Sequence, residues 1–268
     1  MNIPVEKNKE YTVDIIDNGF EGEGIAKIDG FTIFIPQAIK NEKVRILIVK
    51  VLSSHAFGKI LEIIEKSEHR IPPDCESYKR CGGCNLRHVE YEETLNIKQS
   101  MVQNLVNKTL KTKVDVKPTW SMGNPYHYRN KLQFPIGLDK EKEPIIGVFA
   151  NRTHEIVPVN NCMIQDEQSN KIAKYVLEII KKYKLSIYDE KQNKGLLRHL
   201  VIKKGYRTGS IMVILVINGD SLPFEKSIVE DLLKFCPNIK ISLFAIFAYY
   251  YSTSFTVIHY SINRISFA

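Results

Sequence analysis

The last glycine in the sequence is Gly219, so the final 49 residues contain none. Backbone that closes on a nucleotide normally uses glycine at a strand-to-helix turn, and that stretch has no residue for it. From residue 242 onward there is no Asp, Glu or Lys and a single Arg. The opening segment, MNIPVEKNKEYTVDII, lacks the apolar run of a secretory signal. A cytoplasmic chain with reduced thiols is therefore expected. Cysteine is scarce, five in 268 residues, and in such a chain a tight group of them reads as a metal or catalytic site before it reads as disulfides. Tryptophan occurs once, at Trp120, and is expected in the core.

What is present fits a folded chain. Apolar residues make up 44%, enough to bury the core of one or two domains, and charged residues 25%, which is not a disordered composition. The net charge of +8 favours a polyanionic partner.

Residues 9–65 read as all-β. Alternation runs through YTVDIID (Tyr11, Val13, Ile15) and KVRILIVKVL (Val44, Ile46, Ile48), with shorter strands at 31–36 and 57–64. The glycine-rich NGFEGEG at 18–24 marks a sharp bend or bulge. About five short strands in this span fit a small barrel, with Lys27, Lys43, Lys50 and Lys59 carried on them. The spacing of Tyr91, Leu95, Val102 and Leu105–Val106 predicts a helix over 89–110. A hairpin is expected over 144–159, turning at Asn151–Arg152. A helix capped by Asp166 follows, with Ile172, Val176, Ile179, Ile180 and Tyr183 as its buried stripe. LLRHLVIKK and SIMVILVING form a second hairpin through GYRTG, and a last helix spans 227–237. The tail from 242 has eight Phe or Tyr among 27 residues and no clear period. It reads as either a membrane anchor over 243–262 or a product of a shifted reading frame, the second being preferred. The charge-free run is long enough to span a membrane but too rich in polar residues for a typical span.

Three of the cysteines, Cys75, Cys81 and Cys84, lie within ten residues in the spacing C-x5-C-G-G-C. A tetrahedral site needs a fourth thiolate that a loop can deliver. Cys162, in the polar turn NNCMIQ, is the natural choice, and Cys236, on the apolar face of the last helix, reads as a small buried hydrophobe. Zinc and a [4Fe–4S] cluster both accept four thiolates, and spacing does not separate them, though Gly82–Gly83 suit a backbone closing over a cubane. Downstream, YHYRNKLQF sets Tyr126, Tyr128, Arg129, Asn130, Lys131 and Gln133 together. Aromatics interleaved with cations suit single-stranded RNA; a half-buried strand with a solvated face gives the same pattern. His88, His127, His154 and His199 have no ligand-like spacing and read as structural or surface residues.

The segments CESYKRCGGCNLRHVEYEETLNIKQ, YHYRNKLQFPIG, GVFANRTHEIVPVNNCMIQ and LRHLVIKKGYRTGSIMVILV resemble the RNA 5-methyluridine methyltransferases, and within them the ribosomal-RNA branch that carries an iron–sulfur cluster. The resemblance runs from about residue 9 to 241. It implies an α+β chain: an OB-like TRAM barrel at 1–68, a central α/β domain with the iron–sulfur site at 69–241, and an anomalous tail, frameshifted or disordered, at 242–268. It implies a [4Fe–4S] cluster on Cys75, Cys81, Cys84 and Cys162, and RNA contacts from Tyr128, Arg129, Lys131 and Gln133. The implied partner is RNA, specifically 23S ribosomal RNA, bound by a monomer with no membrane association.

In that family a cysteine thiolate adds to C6 of uridine, C5 then takes the methyl group of S-adenosyl-L-methionine (SAM), and a carboxylate removes the C5 proton. The base must leave its stack for this. The glycine-rich SAM turn, the nucleophilic cysteine and the late glutamate have no counterpart in this sequence. No catalytic residue is therefore assigned, and the chain alone is expected neither to bind SAM nor to transfer methyl groups. A standalone RNA-binding module using its metal for structure, or a membrane-tethered protein, are the competing expectations.

Overall fold

In the computed structural model the chain is described over residues 3–151, 153–246 and 259–261. It divides into two compact units, Met1–Tyr78 with Cys84–Gly123, and Lys79–Gly83 with Asn124–Ala268.

The first unit begins with six strands: β1 (Glu10–Asp14), β2 (Asp17–Asn18), β3 (Gly24–Ile28), β4 (Phe31–Ile35), β5 (Lys43–Val51) and β6 (His55–Glu65). They form one sheet in the order β1-β5-β6-β4-β3-β2. Because β2 follows β1 directly, and the Ile16 N–H between them donates to the Ile25 carbonyl at 2.9 Å, the sheet closes on itself as a barrel. Period-two alternation sends Val13, Ala26, Ile33, Ile35, Val44, Ile46, Ile48 and Ala56 inward, each 5% exposed or less. At Gly24 the wall is so close that a Cβ would lie 2.6 Å from the Ala38 Cβ. Strands β1, β4, β5 and β6 lie where the alternation places them, whereas β2 and β3 flank the glycine-rich stretch read as a bend.

Behind the barrel, Glu42 is 1% exposed. Its carboxylate accepts from Arg70 Nε and Nη2 (2.5 and 2.8 Å) and from the Ile39 N–H (2.9 Å). A buried carboxylate needs this full set of donors. Helix α1 (Tyr91–Thr109) follows. It buries Thr94 and Ile97, the latter against Ile39 and Val89, and leaves Val102 and Leu105 exposed, contrary to the expected stripe. The reason is that the segment after it is held by side-chain amides: Gln103 Nε2 donates to the Val114 carbonyl and Gln99 Nε2 to that of Val116, both at 2.8 Å. Trp120, expected in the core, is 94% exposed in this segment.

The second unit holds β7 (Lys131–Leu138), β8 (Pro144–Phe149), β9 (Ile156–Pro158), α2 (Glu167–Lys182), β10 (Leu197–Lys204), β11 (Ile211–Ile217), α3 (Glu225–Phe235), β12 (Ile239–Ile246) and β13 (His259–Ser261). The seven strands order as β13-β12-β11-β10-β7-β8-β9. Only β11 and β12 run parallel, joined through α3. The expected α/β layer is thus a mainly antiparallel sheet with helices on it, and the chain as a whole is α+β. Asp166 caps α2 as expected, its side chain accepting from the Gln168 and Ser169 N–H groups at 3.0 and 3.1 Å. Ile172, Val176, Ile179 and Ile180 of α2 and Ile228 and Leu232 of α3 pack on Leu132, Phe134, Leu200, Ile202, Val213 and Leu215. Cys236 follows α3 as its C-cap, 3% exposed, with Gln168 Nε2 donating to its sulfur at 3.1 Å.

Strand β12 runs through residue 242, where the expected tail begins. The rest of the tail, 247–258 and 262–268, lies outside the described residues, as does Arg152 of the expected turn. No helix among the described residues is long and apolar enough to cross a membrane, and the anchor expected at 243–262 falls mostly outside them.

Candidate nucleic-acid interface and cysteine sites

In the second unit the helices cover one face of the sheet, and alternation turns Lys131, Gln133 and Lys203 to the other, where all three are exposed. Lys131 of β7 stands directly opposite Lys203 of β10, and Gln133 opposite Val201. Directly opposed side chains of an antiparallel pair share a face, and like charges so placed repel. Neither lysine has an acidic partner within 4.0 Å among the described residues. Lys131, Lys203, Lys204 and Lys240 line one groove of about 520 Å³, together with Asn130 and Ser210. Lys204 is tied to Asp166 at 2.7 Å, leaving the other three charges facing the groove. Such a row of ammonium groups suits the phosphates of a nucleic-acid strand.

The other residues singled out from the sequence sit before β7. Arg129 is exposed, and its backbone is clamped: its N–H donates to the Ile164 carbonyl at 2.9 Å and its carbonyl accepts from the Asp166 N–H at 3.3 Å. Tyr128 is 50% exposed and Tyr126 37%. Lys131 and Gln133 are brought onto the lysine face. Tyr128 and Arg129 precede it in the chain and are not among the residues that line the groove.

In the first unit the barrel carries an aromatic group that sequence reasoning missed. Phe34 of β4 pairs with Phe57 of β6, and Thr32 with His55. The three rings lie 5.3 Å (Phe34–His55), 5.9 Å (Phe34–Phe57) and 5.2 Å (His55–Phe57) apart, all half-buried on the outer wall. Lys50 stands opposite Phe57 on β5, and Lys27 opposite Thr32 on β3, both exposed. Ring faces beside cations on an OB-like barrel are a surface on which bases stack. The signal was present in FTIFI and HAFGK, but the alternation that reveals a strand gives its outward aromatics no separate mark. Phe20, in the glycine-rich turn, is 83% exposed.

The cysteines divide between the units. Cys75 and Cys84 belong to the first, Cys81 and Cys162 to the second. All four are partly exposed, while Cys236 is buried. In the second unit the Gly83 N–H donates to Cys81 Sγ at 3.3 Å, and Cys81 forms a bridge with Ala150. Gly82 packs on Asn151, where a Cβ would lie 3.3 Å from its Cα. Cys162 is held by Asn170, which is 6% exposed and donates to the Cys162 carbonyl at 3.0 Å. In the first unit the Tyr78 N–H donates to the Cys75 carbonyl at 3.0 Å, and its buried hydroxyl meets His88 Nδ1 at 2.6 Å. Burial, then the charge of Cys84, pushes the Tyr78 hydroxyl up to about 12. Burial, helped by Arg70, pushes the His88 imidazole down to about 4. Thiols of this kind suit a thiolate-bound metal group, and a backbone N–H is already directed at the Cys81 sulfur. Among the described residues, no three His, Cys, Asp or Glu side chains stand together in metal-holding geometry.

Residues 4–61 match the family model of the TRAM domain. The chain is similar to an uncharacterized RNA methyltransferase of Clostridium tetani, 44% identical over 231 residues, covering 86% of this chain and 50% of that one. It is also similar to an uncharacterized RNA methyltransferase of Staphylococcus aureus strain MRSA252, 42% identical over 238 residues, covering 88% of this chain and 52% of that one. The chain therefore spans about half the length of the curated relatives it matches. Among solved structures, the fold is similar to Pyrococcus abyssi tRNA (uracil-54, C5)-methyltransferase in complex with S-adenosyl-L-homocysteine. The TM-score is 0.63 at 20% identity, covering 94% of this chain and 54% of that one.

Proposed function

We propose that this chain binds single-stranded segments of RNA and serves SAM-dependent methylation of uridine at C5. The observation that carries the RNA reading is the cross-strand pair Lys131–Lys203 in a groove lined by four lysines. A fold does not favour opposed like charges unless a ligand offsets them, and a polyphosphate backbone does so. The aromatic wall of the barrel supplies the complementary element, a surface for bases. Tyr128, Arg129 and Gln133 are assigned to the same role beside Lys131.

Methyl transfer is supported by the relatives, which are RNA methyltransferases, and uracil C5 by the structural neighbour, a tRNA (uracil-54, C5)-methyltransferase. The C-x5-C-G-G-C segment, with the distant Cys162, favours the ribosomal-RNA branch and 23S RNA as substrate, in the cytoplasm. The same four thiols are proposed to hold a [4Fe–4S] cluster, which when bound supplies a covalent tie among the segments bearing its ligands. Cys236 is given no part in the reaction, because a buried thiol fixed by Gln168 is not placed to meet a base.

The full-length gene product, incubated with radiolabelled SAM and unmodified ribosomal and transfer RNA in parallel, tests the reading. Label at uridine C5 in 23S RNA is expected. Label on another atom, or in transfer RNA alone, would overturn the assignment of substrate.

A further inference from the structure

Strand β10 is irregular where it begins. Its register against β11 shifts between Leu197 and His199, so Arg198 is the extra residue of a bulge. A bulge re-aims the side chain it carries. The Arg198 guanidinium lies over the Tyr188 ring, 4.2 Å from its centroid, and Nη2 donates to Glu190 Oε1 at 3.3 Å. The loop that supplies Tyr188 and Glu190 is pinned from within. The Asp189 N–H donates to the Lys194 carbonyl at 2.7 Å, and Asp189 Oδ1 accepts from the Lys191 N–H at 2.8 Å. Its return depends on Gly195, at φ +102°, where a Cβ would lie 2.0 Å from the Ile187 carbonyl oxygen.

These groups border a cavity of about 410 Å³ that is also lined by the apolar Ile136, Leu138, Phe149 and Ile156. At its side the Phe149 and His154 rings lie 5.4 Å apart, with the His154 side chain 84% exposed. His199 is also on the wall, and burial, then Arg198, lower its affinity for a proton.

We infer that this cavity takes one unstacked nucleobase of the bound RNA, an inference that rests on the RNA reading above. The size is within the range of small-ligand sites, roughly 300–1,000 Å³. The Watson–Crick edge of any base offers an acceptor beside an N–H donor, which pair with Arg198 and Glu190 respectively. The apolar wall and the Phe149 ring cover the base faces. A phosphate is the wrong occupant: the two carboxylates, Glu190 and Asp189, balance the two cations, Arg198 and Lys191, so the lining carries no net positive charge.

The test is saturation-transfer NMR on the full chain with each of the four nucleoside monophosphates and, separately, ribose 5-phosphate. The base protons of the nucleotides should receive saturation and ribose 5-phosphate should receive none. Leu138→Trp, at a half-exposed position, should fill the cavity and abolish the signal. Glu190→Gln, at an exposed carboxylate, should weaken nucleotide binding about tenfold, the loss of one charge-assisted hydrogen bond. The double variant K131A/K203A should lose oligonucleotide affinity and keep the nucleotide signal. A wild-type chain that binds RNA but gives no base signal, or a signal equal to that of ribose 5-phosphate, would overturn the inference and leave the RNA reading standing. No oligonucleotide binding at low salt would instead remove the RNA reading itself.

Discussion

Lys131 and Lys203 stand directly opposite each other on antiparallel strands, on the face of the sheet away from its helices. In the free chain this pair costs stability, and an opposite-charge pair at the same positions gains it, by roughly 0.2–1 kcal/mol. Lys203→Glu should therefore raise the thermal midpoint of the free protein while lowering its affinity for RNA. A variant that is both less stable and equally good at binding RNA would remove the argument that these charges await a ligand.

The barrel rings should contribute in a different way. Stacking on a ring face is worth about 1–3 kcal/mol per base and involves no counterions. Phe57→Leu keeps an apolar group on the strand and should reduce RNA affinity about tenfold with no change in the salt dependence. Filter binding across several salt concentrations measures both quantities at once. An affinity equal to wild type would exclude this wall from the interface.

The cysteines make separable predictions. Anaerobically purified protein should be brown, with broad absorbance near ~400 nm from thiolate-bound iron. Cys162→Ala should lower the iron content, and Cys236→Ala, at a buried C-cap outside the donor set, should leave it unchanged. One stoichiometric zinc in a colourless protein would replace the cluster with a simpler tetrathiolate site.

His88 gives the fold a dependence on acid. Its imidazole titrates near 4 in the folded chain and near 6.5 when unfolded. Between these values the unfolded chain binds a proton that the folded chain refuses. Stability is then complete above about pH 6.5 and falls as pH drops toward 4, by up to about 1.4 kcal/mol per unit. Thermal melts from pH 7 to 4.5 should show this loss. His88→Gln should flatten the curve above the range where carboxylates titrate. A melting temperature independent of pH over this window would show that burial does not suppress the charge.

Local signals explain what was legible. Asp166 is readable as a cap because the donors it serves, Gln168 and Ser169, are its neighbours in sequence. The barrel strands are readable because Ile33 and Ile35, or Ile46 and Ile48, alternate with partly exposed residues. Lys131 stands out in the sequence for its aromatic neighbours, but its pairing with Lys203, 72 positions along, depends on β7 joining β10 rather than only its sequential neighbour β8. The bulge at Arg198 is equally hidden, because one extra residue leaves no mark in LLRHLVIKK. Trp120 misled for the opposite reason: a large ring is usually buried, but here the chain after α1 is fastened by Gln99 and Gln103 and needs no apolar anchor.

The most direct measurement of the central claim is RNA affinity as a function of salt, for the wild-type chain and for K131A/K203A. Each phosphate contact on a single strand contributes about −0.7 to the slope of log affinity against log salt. The wild type should show a steep linear decrease, and the double variant a slope shallower by about 1.4 if each lysine meets one phosphate. Affinity that ignores salt, or a double variant with the wild-type slope, would contradict the assignment of this lysine face to RNA.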